Sequence, residues 1–436
     1  MGTHTASWML LSALGAATTV LAGCPPPGQG PDPLALGEVR AIDGWGNNEA
    51  YLEWGTAERP LLRISYPDYA DRIALPRTAG RANPRAVSNT VMAQPGDLPN
   101  PQGVSDMFWQ WGQFLDHDLT LVPVFDPAVP FDVPIPAGDP WFDPMATGTR
   151  AMALDRSFYA HADGAAQQLN EITAFIDGSN VYGAHDERAV ALRRFDGSGR
   201  LKTSAGGLLP YNEDGLTNEP DHSDTFFVAG DVRANEQVGL MAMHTLWVRE
   251  HNQWAGRFAR EHPEWDGERL YQTARAVTTG IMQRITYREF LPILLGPDAL
   301  PPYRGYNPKK HPGITNEFAA AAFRFGHTML STNLLRLDAR MQPIPDGPVS
   351  LADAFFEPAL IADYGIEPYL RGLAGQVAQT IDPYIVDDVR NFLFGPPGAG
   401  GFDLATLNIQ RGRDHGLPPY NAVRNAMGLP PARSFA

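Results

Sequence analysis

Stretches in which apolar residues recur at helical spacing alternate, along this 436-residue chain, with long segments rich in Pro, Gly and Asp, and that alternation restricts the fold more than any other feature. The helical pattern covers residues 104–115, 238–258, 270–291, 315–330 and 367–378. Segments 123–144 and 196–224 are irregular, and alternating strand patterns are few. Pro removes a backbone donor and Gly is costly to order, so segments dense in both do not continue a helix or a central strand. The chain reads as mainly α: a helical bundle with long loops and little strand. Long irregular segments in a compact domain often line functional sites.

Charge narrows the function classes. Thirty-four basic against 49 acidic residues give a net charge of -15, and no Lys/Arg block could track a phosphate backbone, so nucleic acid is excluded as a partner. A hydrophobic share of 43% supplies a large core, and no internal repeat divides it.

The N-terminus carries an address. Residues 8–22 are nearly all apolar or small, of the length of a signal-peptide core and short of a membrane span. Leu21-Ala22-Gly23-Cys24 resembles the bacterial lipoprotein box, although only His4 stands where a positive n-region is usual; an ordinary signal peptide is the alternative. Cys24 is the sole cysteine, which rules out an internal disulfide and suits lipidation. The expected organisation is a lipoprotein-type signal peptide over residues 1–23, a Pro/Gly-rich tether over 24–38 and a domain over 39–436, located outside the cell or in its envelope, with membrane contact only through Cys24.

Five segments carry chemistry. In Trp109-Gln110-Trp111-Gly112-Gln113-Phe114-Leu115-Asp116-His117-Asp118, helical spacing puts Gln113, Asp116 and His117 on one face of an otherwise aromatic helix. Buried polar groups are costly without partners, so this face calls for a ligand or hydrogen bonds. The others are Thr173-Ala174-Phe175-Ile176-Asp177-Gly178-Ser179, which alone could be a half-buried strand with a turn; Ala229-Gly230-Asp231-Val232-Arg233-Ala234-Asn235-Glu236; Phe323-Arg324-Phe325-Gly326-His327-Thr328; and Leu407-Asn408-Ile409-Gln410-Arg411-Gly412-Arg413-Asp414-His415-Gly416. His244 and His251 lie seven apart beside Glu250, a spacing wrong for a zincin motif, and read as helix packing; Trp109, Trp111 and Phe114 read as core.

Taken in order along the chain, these segments resemble the animal haem peroxidases over essentially residues 39–431. The resemblance implies a helical bundle around a buried haem b. It makes His117 the group that takes a proton from hydrogen peroxide and returns it to the leaving oxygen, and Arg233 the fixed cation that stabilises charge there. Gln113 would hold a distal water or substrate anion. His327 would be the axial iron ligand, with Asn408 accepting its other ring N–H, and Arg324 and Arg411 near haem propionates. Asp116 and Glu236 match carboxylates that esterify haem methyls; Gln237 stands where some members of the family carry a Met that adds a third, sulfonium link, so at most two ester links are expected here. A calcium site would use Asp118, Thr173, the Phe175 carbonyl, Asp177 and Ser179, all oxygen donors suited to a hard cation.

The implied activity is reduction of hydrogen peroxide, with two oxidising equivalents stored at the haem and used on a small donor: halide, thiocyanate or phenolic. Two departures qualify it. The disulfides of vertebrate members have no counterpart here, and family members continue past the region of Pro418-Pro419-Tyr420-Asn421 for a further helical segment, so part of the wall around the haem is expected to be missing. Two rival readings are a fatty-acid dioxygenase of the same superfamily and a catalytically degenerate adhesion or matrix scaffold. Arg324 occupies the position of the dioxygenases' radical tyrosine, and intact His117, Arg233, His327 and Asn408 argue against the scaffold.

Overall fold

The computed structural model describes residues 39–162 and 164–434; the expected signal segment, Cys24 and the tether lie outside them. The helices that matter for the site are α1 (Met107–Leu119), α2 (Ser179–Tyr182), α3 (Val238–Glu261), α4 (Gly267–Ile285), α5 (Asn316–Ala320), α6 (Glu367–Gly375) and α7 (Leu404–Asp414). Among the described residues no helix is long and apolar enough to cross a membrane.

The hub is α3, which packs against α1, α2, α4 and α6. Its first three turns are buried almost all round, from Val238 through Val248, as a helix surrounded by helices must be. The contact with α1 is aromatic: Trp111 and Trp247 rings lie 5.7 Å apart, and Phe114 stacks on Trp247 at 6.1 Å. Phe114 is wholly buried. Truncation there to Ala would cost about 3–5 kcal/mol from lost transfer and the cavity left behind.

Local chemistry sets the helix ends. Gln237 caps α3, its side chain accepting from the Gly239 N–H, and the helix stops at His262 (φ -133°, ψ 70°), which Pro263 keeps out of the helical region. Asp266 then caps α4 by accepting from the Arg269 N–H at 2.8 Å, which folds α4 back onto α3. The expected helix over 270–291 continues from α4 through a π-turn (Thr286–Phe290) to Leu295 and ends at Gly296, whose φ is +98°.

Strand is confined to small pieces. Ala165–Asn170 pairs antiparallel with Arg59–Pro60 on one side and with Tyr159–Ala162 on the other. Asn170 also reaches α1, its Nδ2 donating to the Leu119 carbonyl at 2.9 Å and its Oδ1 accepting from the Leu121 N–H at 2.9 Å. That contact fixes the end of α1 that carries His117. Segment 173–179 contains no strand, only bends leading into α2.

One expected helix is broken. Residues 315–330 form α5, a kink at Ala321 (φ -139°, ψ -70°), and a 3-10 helix over Ala322–Met329. The Arg324 Nε–H donates to the Ala319 carbonyl at 3.1 Å, taking an acceptor that a continuous α-helix would use for its own ladder. In the 3-10 form Arg324 and His327, three apart, eclipse on one face.

Candidate functional site

A cavity of about 440 Å³ lies between α1, the loop before α3, the 3-10 segment and α7. Gln113, Asp116, His117, Arg233, Glu236, Arg324, His327, Asn408 and Arg411 all line it. They divide into a distal set, on α1 and residues 231–237, and a proximal set, on the 3-10 segment and α7.

In the distal set Asp231, to which the sequence motifs assign no role, holds the centre. Both its oxygens clamp Arg233, accepting from Nε at 2.8 Å and Nη2 at 2.7 Å, and Oδ1 also accepts from the Arg233 N–H at 2.8 Å. Arg233 Nη2 donates further to the Thr120 carbonyl at 2.9 Å. Burial opposes ionisation of Asp231, yet the Arg233 charge and these bonds hold its carboxyl well below the usual range. The same Oδ1 lies 3.4 Å from His117 Nδ1, which makes no hydrogen bond. His117 Nε2 is 3.8 Å from Glu236 Oε2. Burial, then the Arg233 charge, push His117 far below its usual value, so the imidazole is neutral and able to accept a proton.

The two carboxyls flanking this pair are shifted the other way. Burial raises Asp116 against the attraction of Arg233, and burial with the Glu219 charge raises Glu236 to about 7. Burial makes both carboxyls weaker acids than usual.

The proximal set corrects one expectation. Asn408 meets His327 Nδ1 at 2.8 Å through its Nδ2, an N–H donor, whereas the resemblance has the Asn accept from that ring nitrogen. The cause is Arg324, whose Nη1 donates to Asn408 Oδ1 at 2.6 Å and so takes the oxygen. Arg411 Nη1 donates to the Asp155 carbonyl, Ser157 Oγ and Asp414 Oδ2. Nδ1 of His327 being committed to Asn408, Nε2 is the nitrogen left for the cavity; burial and then the Arg324 charge lower the ring to about 3. His415, within the 407–416 motif but without a role in the resemblance, also lines the cavity, bonded to Asn316 and Ser157 at 2.8 Å each.

Next to His117, Asp118 turns away into the loop 173–179. Ser179 Oγ donates to Asp118 Oδ1 at 2.9 Å and the Gly178 N–H to Oδ2 at 3.2 Å, while Thr173 Oγ1 donates to Asp177 Oδ1 at 2.9 Å. Gly178 has φ +78°, and a Cβ there would sit 2.9 Å from the Tyr182 ring, so only Gly serves. Among the described residues no three His, Cys, Asp or Glu side chains converge as a metal cluster. The loop offers two carboxylates, two hydroxyls and the Phe175 carbonyl. Burial raises both Asp118 and Asp177, and their charges oppose each other; Asp177 Oδ2 is buried with no partner. Such a donor set suits a hard cation, which would offset that repulsion.

His244 and His251 are wholly buried packing residues: His244 Nδ1 meets the Asn180 carbonyl at 3.1 Å, and His251 lies between the Tyr182 hydroxyl and the Gly199 carbonyl.

Against known proteins, the family model described as animal haem peroxidase matches residues 39–436. Peroxinectin A of Dictyostelium discoideum is 35% identical, over 92% of this chain and 77% of that protein. Human myeloperoxidase is 37% identical over 90% of this chain and 59% of its own length, and Drosophila melanogaster peroxidasin 35% identical over 91% and 29%. The chain therefore spans less than two thirds of the latter two. Among solved structures, peroxidase A of Dictyostelium discoideum superposes with a TM-score of 0.85 at 34% identity, over 91% of this chain and 80% of that one. A fatty acid alpha-dioxygenase of Oryza sativa gives 0.72 at 22% identity over 98% and 74%, a likeness of fold alone.

Proposed function

The chain belongs to the animal haem peroxidase family, a haem-dependent peroxidase using hydrogen peroxide and a small electron donor, and from that premise we propose that His117 and Arg233 handle peroxide while His327 holds the iron. Haem, when bound, supplies the redox centre that accepts two oxidising equivalents from peroxide. The observation that carries the assignment is the gathering of both sets around one cavity.

His117, neutral through burial, takes a proton from peroxide and returns it to the departing oxygen. Arg233, clamped by Asp231, stays charged and offers a fixed cation to that oxygen. Gln113 directs a polar group at a small ligand. His327 Nε2 would hold the iron, with Asn408 turning its oxygen to the ring, and Arg324, released from Asn408, and Arg411 would pair with the propionates. Asp116 and Glu236 would be the carboxyls linked to haem methyls, each ester formed with peroxide as the two-electron oxidant and the methyl C–H giving up its hydrogen as a proton; burial then favours the uncharged ester over a free carboxylate. Asp118, Asp177, Thr173, Ser179 and the Phe175 carbonyl hold calcium. Export, with a lipid anchor on Cys24, rests on the apolar segment 8–22 and the residues preceding that Cys.

The test is the visible spectrum of purified protein before and after peroxide. The His327→Ala variant is expected to lose tight haem binding. His117→Ala keeps the haem and loses peroxide cleavage by about 10²–10⁴-fold in rate. An undiminished peroxide response in His117→Ala overturns the distal assignment. Acid-acetone extraction after turnover examines the ester links: haem that extracts completely excludes them.

A further inference from the structure

Where α3 begins, the buried amides of Gln110 and Gln237 meet the half-buried amide of Gln113, and the contacts fix their directions. The Gln237 side chain folds back so that Oε1 accepts from the Gly239 N–H at 2.5 Å. A backbone N–H can only donate, so this contact settles which end of the Gln237 amide is oxygen. Its Nε2 then donates to Gln110 Oε1 at 2.6 Å and to Gln113 Oε1 at 3.0 Å. Gln110 Nε2 donates to that same Gln113 oxygen at 3.2 Å. With two donors on Oε1, Gln113 has only its NH2 left to present, and this reaches Glu236 Oε2 on the cavity wall at 3.1 Å.

Gln110 and Gln237 are 0% and 2% exposed, so their own amide groups depend on these protein partners. Gly239 makes the arrangement possible: a Cβ there would lie 2.5 Å from Gln110 Oε1. Turning the Gln113 amide over would set its NH2 against two other NH2 groups and leave buried donors unpaired, the costly outcome for a buried amide.

We propose that Gln237 is a positioning residue that locks Gln113 with its NH2 toward the cavity, so that the distal set selects small anionic ligands. This rests on the reading of the cavity as the haem site, with Gln113 in its distal half. Residue 237, itself at the cavity wall, thereby acts on ligand preference through Gln113.

The experiment is a fluoride titration of the ferric holoprotein, followed by the shift of its Soret band, as a double-mutant cycle. Gln113→Ala is expected to weaken fluoride on the order of tenfold, the loss of one hydrogen bond to an anion. Gln237→Glu keeps an oxygen for the Gly239 N–H but cannot donate to Gln113, and should lose about as much. In the Gln113→Ala background it should change affinity less than about twofold, because the residue it acts through is gone. Gln110→Met leaves the helix cap intact and removes one donor to Gln113 together with an acceptor of Gln237; its smaller loss should also vanish in that background. Equal effects of Gln237→Glu in both backgrounds would mean that it acts by charge or folding, and overturn the proposal. If Gln113→Ala itself leaves fluoride affinity unchanged, the distal assignment of Gln113 falls, and the proposal with it. If only the residue 237 and 110 variants are silent, the assignment stands and the proposal alone falls.

Discussion

The distal and proximal sets face one cavity but are built on different principles. Distal groups are held by side chains outside the proposed ligand set: Asp231 clamps Arg233 with both oxygens, and the Gln237 amide orients Gln113. The proximal groups instead satisfy one another, Arg324 on Asn408 and Asn408 on His327. If His327 holds the iron as proposed, that chain has to re-pair. In the proposed reading, the groups that would move protons are preorganised, while those that would bind the cofactor are interim partners for each other.

The largest effect should come from cutting the distal lock. Asp231→Asn keeps the side chain's shape but removes the charge that holds Arg233 and one acceptor of the clamp. The expected result is a fall of about 10²-fold in the rate of reaction with peroxide, comparable to losing one preorganised donor, with haem still bound. Stopped-flow absorbance measures the first and the Soret-to-protein ratio the second. If haem retention falls as steeply as the rate, the two sets are not separable and the contrast is wrong.

A smaller effect tests how the distal helix is seated. Asp118 follows His117 directly, and its carboxylate reaches loop 173–179 through Ser179 and Gly178. Prolonged chelation of the holoprotein is expected to slow the peroxide reaction on the order of tenfold, the usual scale for loss of an orienting partner, while iron stays ligated. Elemental analysis of active protein that finds no calcium would remove the basis of this expectation.

The same contrast explains what could be read from the sequence. Helical periodicity placed α1, α3, α4 and α6 to within a few residues, because their apolar faces meet each other and local pattern suffices. It missed Ala165–Asn170, whose inward residues Ala166, Gln168 and Asn170 are small or polar and so carry no apolar alternation. It also made one helix of 315–330, since nothing local tells that Arg324 Nε will take the Ala319 carbonyl. Within the site, motif positions were visible, but the residues that orient them were not. Asp231 sits inside the 229–236 motif, Gln110 inside the 109–118 motif and Gln237 just past the former. Their importance lies in hydrogen bonds such as Gln237 to Gln110, across 127 positions, which no spacing rule encodes.

The smallest effect concerns the joint between the two sets. Asp106 precedes α1, and its Oδ1 accepts from Ser331 Oγ at 3.0 Å, tying the start of the distal helix to the chain just past the 3-10 segment; Oδ2 is buried without a partner. Burial raises its carboxyl from 3.8 to about 7, opposed in part by the hydrogen bond from Ser331. A raised acid pKa means that the folded state holds the proton more tightly than the unfolded chain. Between pH 3.8 and about 7 the folded protein therefore carries more protons there, so the contribution of Asp106 to stability is largest below 3.8 and is lost as pH rises through that window. Above it the buried, ionised carboxylate costs on the order of a few kcal/mol. Asp106→Asn removes the titrating group and nearly preserves the shape. Relative to wild type, the variant should gain stability between about pH 4 and about pH 8, read as the difference in urea midpoint at the two pH values. The peroxide rate should be unchanged, as Asp106 touches neither His117 nor Arg233. Parallel pH profiles for the two proteins would show that this carboxyl does not titrate in the window, and a changed peroxide rate would show that the joint transmits to the distal set after all.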